Sequence, residues 1–281
     1  MKLFTITSSI ILLFMTVSCK NEAKKETEIA PKVEAPKPVP GTPIKFDSSK
    51  RYIYLTWDDS PQPPGTKVCK DIFHKLGVKA TFFSVGIHAF DLHRKRSIDE
   101  IRNSYPEFLL ANHSYTHGFK DKYKSFYTMP DSAVKDFLRM EDEFKVPVKI
   151  IRLPGCNSWV LDGEMKGQPS TEKVYKKLDA LGYSVIGWDV EWRFVRGNTP
   201  VQSAEQLAKE VNNKFEDGLT VAPNAVVILA HDRMFAKPQY ADSLSRFINI
   251  LKSDPRNVFE TIDHYPLIKY AVKDTINKKA K

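Results

Sequence analysis

Tyr52-Ile-Tyr-Leu-Thr56 runs directly into Trp57-Asp58-Asp59, so a short strand-forming stretch ends on two adjacent carboxylates. The same order recurs in Val148-Lys-Ile-Ile151 before Arg152, in Tyr183-Ser-Val-Ile-Gly187 before Trp188-Asp189, and in Ala225-Val-Val-Ile-Leu-Ala230 before His231-Asp232. Ionisable residues at the exits of separate buried strands suit a parallel α/β enzyme, whose strand C-termini converge on one face.

Between these strands the pattern switches to helical spacing. A helix is predicted over residues 65–76, with Val68, Ile72, Phe73 and Leu76 on one face and Gly77 as its stop. Further helices are predicted over 128–144, with Val134, Phe137 and Leu138 inward, over 171–181, after the Ser203/Gln206 capping box, and over 241–252. Residues 79–85 and 108–111 read as two more strands. About seven strands alternating with helices leave a parallel barrel or a doubly wound sheet. Reactive residues at strand ends throughout the chain favour the barrel, in a single domain over residues 44–281.

The 281 residues are 42% apolar, enough for one large core. Met1-Lys2, an apolar run to Val17 and then Ser18-Cys19 make an export signal too short to span a bilayer. Thr16-Val-Ser-Cys19 resembles a lipobox, which implies cleavage before an acylated Cys19 and a membrane-anchored lipoprotein of the bacterial envelope. Residues 20–43 are rich in Lys, Glu, Ala and Pro and read as a disordered tether. The net charge of +9 is concentrated toward the chain ends, and export argues against nucleic acid as a partner. Cys69 and Cys156 are expected to be buried or free.

The chemistry-bearing residues form one plausible set. Asp58 and Asp59 are followed by Ser-Pro-Gln-Pro-Pro-Gly, which must leave the sheet at once and so can admit both carboxylates to one site. His113 and His117 are four apart, which on one helical turn puts both rings on one side. With Asp59 they make a two-histidine, one-carboxylate ligand set for a divalent ion that leaves positions for water and substrate. Asp58 is placed as a general base, and His231 reads as an acid or a core histidine. Arg152 and Asp189 read as a plain ion pair or as a pair that orients Asp58.

Thr56-Trp-Asp-Asp59, His113-Ser-Tyr-Thr-His117, Arg152-Leu-Pro-Gly155, Trp188-Asp-Val-Glu-Trp192 and Leu229-Ala-His231 stand in the order of the five motifs of the polysaccharide deacetylases, the NodB-homology carbohydrate esterases. The chain resembles that family from about residue 51 to 250. The resemblance implies an irregular (β/α) barrel, commonly seven-stranded, and metal-dependent removal of acetyl groups from a polysaccharide or oligosaccharide, N-acetyl before O-acetyl. It makes Asp59, His113 and His117 the ligands of a metal, usually zinc, Asp58 the base, His231 the acid and Arg152 the residue that orients Asp58. It leaves Asp189 or Glu191 to anchor Arg152, with Asp189 preferred, the Gly155 N–H to face the oxyanion, and Trp192 and Leu229 to line the acetyl pocket. Trp57, Ser60 and Gly155 depart from the family pattern, and the fourth motif is compressed.

Three rival readings remain at this level. Two histidines and a carboxylate also hold iron in oxygenases, although those resemble jelly rolls. A catalytically silent glycan-binding lipoprotein would use Trp159, Trp192, Phe194, Phe235 and Tyr240 on the rim to stack on sugars. A C–N hydrolase of a small non-sugar amide would keep the same site. Oligomeric state is not legible.

Overall fold

In the computed structural model the described residues are 38–270. The expected signal segment, Cys19 and the tether up to residue 37 lie outside them. Eight parallel-running strands carry the architecture: β1 Arg51–Ser60, β2 Ala80–Ser84, β3 Phe108–Asn112, β4 Ile150–Ile151, β5 Ser184–Val185, β6 Val190–Glu191, β7 Ala225–His231 and β8 Asn257–Phe259. Their hydrogen-bonded order is β5-β4-β3-β2-β1-β7-β6, with β8 on the lower half of β1. Since β5 and β6 are consecutive in the chain, one stretch pairs with β4 at its start and with β7 at its end, and so bridges the two edges of the curled sheet. The antiparallel hairpin of Trp159–Leu161 and Glu164–Lys166 extends the sheet beyond β5.

The helices are α1 Gly65–Leu76, α2 Leu92–Asn103, α3 Pro130–Phe144, α4 Glu172–Ala180, α5 Ala204–Glu216 and α6 Pro238–Lys252. Gly77 closes α1 at φ 62°, the left-handed geometry that a glycine takes without cost and that lets its N–H reach the last carbonyls. The Ser203/Gln206 capping box opens α5 with both hydrogen bonds formed. In α3 the buried face is Ala133, Val134, Phe137, Met140 and Phe144, and Leu138, expected inward, is exposed.

Alternation along the strands divides the core into two layers. Ile53, Leu55 and Trp57 of β1 and Val226, Ile228 and Ala230 of β7 face the helices, where Phe73 meets Trp57 edge-on at 5.0 Å. Burial of a side chain such as Phe73 contributes about 1.5–3 kcal/mol. Tyr52, Tyr54, Leu109, Ile150 and Val227 fill the interior with Ile262 and Tyr265, which plug its lower end. The interior row of β1 continues from Tyr54 through Thr56 to Asp58, which is how a carboxylate reaches the upper mouth. Cys69 and Cys156 are both buried and free.

Candidate active site

Register assembles the site. Asp58 of β1 lies beside His231 of β7 in the parallel ladder, and Asn112 of β3 lies beside Ile151 of β4, so that His113 and Arg152 emerge next to each other. Alternation alone would send Asp59 outward. A register shift against β2 between Asp58 and Ser60, with Asp59 at φ 71°, turns its side chain back toward the mouth. Both carboxylates therefore enter one site, as the Pro-rich exit required.

Asp59 Oδ1 lies 3.1 Å from His117 Nε2 and 3.8 Å from His113 Nε2. One ligand atom from each of these residues falls within 4.8 Å of the others. The far side of each ring is committed: His113 Nδ1 donates to the Arg152 carbonyl at 2.9 Å, and His117 Nδ1 meets Asp121 Oδ1 at 2.5 Å. That leaves both Nε2 atoms turned to Asp59, whose Oδ1 is buried without a hydrogen-bond partner. Two imidazole nitrogens and a carboxylate oxygen converging on one point are suited to a divalent cation, and the donor set fits zinc.

The histidine spacing works by an unexpected route. Residues His117–Asp121 form a turn in which Gly118, Phe119 and Lys120 have φ of 62°, 59° and 56°. The two rings thus meet across a loop that enters a left-handed turn, not on the ordinary right-handed turn expected from four-residue spacing.

Asp58 and Arg152 form a buried pair at 2.9 Å. Burial raises the Asp58 pKa, opposed by the Arg152 charge, so its carboxylate is a stronger base than one in water. Arg152 is saturated: it donates to Thr56 Oγ1 at 2.7 Å, to the Ile186 carbonyl at 3.2 Å and to the Gly187 carbonyl at 2.7 Å, and its guanidinium lies 4.3 Å from the Phe83 ring centre. At Asp59, burial pushes the pKa up, but the close approach of His117 and the positive field of His231, His117 and His113 carry it below the usual carboxylate range. Burial, with His117 beside it, lowers His113 to about 3, which keeps it a neutral ligand. Burial also lowers His231, whose Nδ1 has no partner and whose ring stands edge-on to Phe194 at 5.0 Å.

Two expected roles are corrected. Asp189 does not anchor Arg152: its carboxylate accepts the backbone N–H groups of Val227 at 2.8 Å and Val221 at 3.3 Å, closing the loop that precedes β7. Backbone carbonyls take the place of the anchoring acid. Trp192 does not line an acetyl pocket: it is 0% exposed on the helix side of β6, packed on Phe235 and Phe247, with its indole N–H donated to the Gln202 carbonyl. Its neighbour Glu191 has the opposite direction along the strand; burial raises its pKa, with the Arg193 charge opposing and the nearby Asp58 carboxylate adding to the rise. Leu229 is buried two residues below His231, on the same face of β7. Gly155 is exposed at φ 66°, and a Cβ there would come 2.9 Å from the Tyr123 ring.

Tyr123, His88 and Arg233 were not foreseen. Tyr123 stands edge-on to His117 at 5.8 Å, His88 Nδ1 donates to the Asp59 carbonyl at 2.8 Å, and Arg233 Nη2 reaches Asp59 Oδ2 at 2.8 Å. Of the proposed rim aromatics, Trp159 and Phe235 are buried, and Phe194 and Tyr240 are partly exposed.

Residues 45–158 match the profile of the family described as polysaccharide deacetylase. Over these residues, about two fifths of its length, the chain is similar to that family. A 78-residue stretch is 40% identical to a chitooligosaccharide deacetylase of Rhizobium leguminosarum bv. trifolii, covering 26% of this chain and 34% of that protein. The match therefore spans about a third of the relative's length. The catalytic domain of a peptidoglycan N-acetylglucosamine deacetylase from Eubacterium rectale superposes with TM-score 0.56 at 23% identity, over 83% of this chain and 98% of that one. A CE4 esterase of Streptococcus mutans gives TM-score 0.56 at 21% identity, over 76% and 87%. At such identities the two structures carry the fold alone, and this chain shares the (β/α) barrel of these neighbours.

Proposed function

We propose that this chain is a polysaccharide deacetylase, a divalent-metal hydrolase that removes N-acetyl groups from a glycan outside the cytoplasm. The observation that carries this reading is the convergence of Asp59, His113 and His117, with Asp58 held by Arg152 on one side and His231 on the other. The likeness to a peptidoglycan N-acetylglucosamine deacetylase supports the choice of an amide over an ester. The apolar leader ending at Cys19 supports export and a lipid anchor, which would keep the protein near envelope polymers.

A divalent ion held by Asp59, His113 and His117 would polarise the acetyl carbonyl and make water acidic near neutrality. The chain's own groups do the rest. Asp58, its pKa raised by burial, takes the proton of the attacking water. Arg152 keeps that carboxylate in place without sharing its outer oxygen. The Gly155 N–H, in a position that tolerates no side chain beside Tyr123, is available to the developing oxyanion. His231, across the site from Arg152, gives a proton to the departing amine.

The test is incubation of zinc-loaded protein with chitin oligomers, peptidoglycan and acetylated xylan, with acetate measured. Acetate from the first two and little from xylan supports the reading. Metal-loaded protein that binds these glycans and releases no acetate would make it a silent binding protein, and release only from small amides would move it to another C–N substrate class.

A further inference from the structure

Arg233 sits two residues beyond His231, in the short turn Asp232–Phe235. Its neighbours hold that turn firmly. Asp232 is fully buried and accepts the hydroxyls of Ser60, at 2.9 Å, and Thr66, while Met234 and Phe235 enter the core. Only the Arg233 side chain is left to extend. It is 33% exposed, runs across the Phe194 ring with 5.1 Å between guanidinium and ring centre, and ends on Asp59 Oδ2 at 2.8 Å. Its Nε is buried with no partner, so its hold on this position comes from Asp59 and the aromatic face.

Asp59 therefore divides its oxygens. Oδ2 belongs to Arg233, and Oδ1 faces His113 and His117. Each carboxylate at the mouth is also matched by a guanidinium, Asp58 by Arg152 and Asp59 by Arg233. A divalent ion seated among the three ligand atoms must share one carboxylate with a fixed positive charge. Two effects of Arg233 oppose each other here. It orients Asp59, which favours ion binding, and it repels the ion, which disfavours it. Orientation is already supplied by the backbone shift at Asp59 and by His88 on its carbonyl. Repulsion between like charges sharing one carboxylate is large even at an effective dielectric constant near 20, so it outweighs the remaining orienting effect.

Resting on the metal reading above, we propose that Arg233 is a tethered competitor of the divalent ion. It confines Asp59 to single-oxygen ligation and sets ion affinity low enough for exchange. It acts through Asp59 and is a positioning residue.

The test is direct zinc binding by the full chain, titrated against a chromogenic chelator, for wild type, R233M, R233Q, R233K and D59N. R233M and R233Q are expected to bind zinc at least about tenfold tighter than wild type, and R233K to stay close to wild type. Unfolding midpoints without zinc show that each variant is folded, and the second neutral variant stands in if the first is not. Equal or weaker binding by both neutral variants overturns the proposal, as does R233K binding as tightly as they do. If wild type and the neutral variants bind no more zinc than D59N, the metal reading itself fails, and the proposal with it.

Discussion

At the upper end of the barrel, Asp58, Asp59, His113, His117 and His231 face one another across a mouth. At the lower end, Glu260, Asp263 and His264 lie with Lys79 and Tyr105 beneath the plug of Ile262 and Tyr265. Both groups have buried carboxylates and a buried histidine, Asp58, Asp59 and His113 above and Glu260, Asp263 and His264 below. Glu260 is gripped by Lys79 at 2.7 and 2.9 Å and by the Thr261 N–H at 3.0 Å, and Asp263 accepts the Tyr105 hydroxyl and the Gly41 N–H. Unpartnered atoms occur at both ends, Asp263 Oδ1 below as well as Asp59 Oδ1 above. An orphaned polar atom therefore does not by itself mark a site. Among the described residues, the three-ligand convergence found is the one at the upper end. Below, the charges spend themselves on the plug; above, they are aimed at a shared point.

The largest test of this contrast is the removal of one cation from each end. Arg152→Met leaves Asp58 buried and uncompensated and should cost about 3–5 kcal/mol in chemical denaturation. Lys79→Met, whose side chain is 34% exposed, should cost only about 1–3 kcal/mol. Equal losses would erase the distinction. Next in size is chemistry: Asp58→Asn and His231→Ala should each lower acetate release by at least about 100-fold, whereas Glu260→Gln should leave it intact.

The lower end also carries an acid response of its own. Burial raises the Glu260 pKa, but His264, Lys79 and the Thr261 N–H outweigh it and bring it down to about 2 from an ordinary 4.5. A carboxylate depressed in the folded state stabilises above its unfolded pKa, and that stabilisation is lost as pH falls toward the folded value. Denaturation midpoints should therefore drop from about pH 4.5 toward 2, and Glu260→Gln should flatten that window. A profile unchanged by the substitution would remove Glu260 from the acid response. The smallest effect is expected at Asp189→Asn, about 1 kcal/mol of stability with turnover unaffected. A marked fall in kcat would restore Asp189 as a support of Arg152.

Features set by neighbours in the chain were legible before the coordinates. α1 begins and ends where its apolar spacing and Gly77 place it, and the Ser203/Gln206 cap forms as written. The convergence of Asp59, His113 and His117 was legible because strand exits are local events that bring side chains to one rim. Asp189 was misread because a carboxylate beside an apolar run looks alike whether a guanidinium or two backbone N–H groups satisfy it. Trp192 was misread although strand alternation held the answer: Val190 and Trp192 share the helix side, and Glu191 turns toward Asp58. Arg233 and Tyr123 reach the mouth from segments whose paths depend on tertiary packing, and no spacing in the sequence announces them.

The bridge between β5 and β6 has a consequence for how the ring is held together. It passes through Gly187, where a Cβ would lie 2.0 Å from Asn157 Oδ1 and 2.5 Å from Trp159 Nε1, and the carbonyls of Ile186 and Gly187 are the ones Arg152 grips. The molecule thus has a seam. A cut or permutation point placed there would let the cylinder relax into an open fan, and catalytic geometry would fail together with closure, even with every helix still folded.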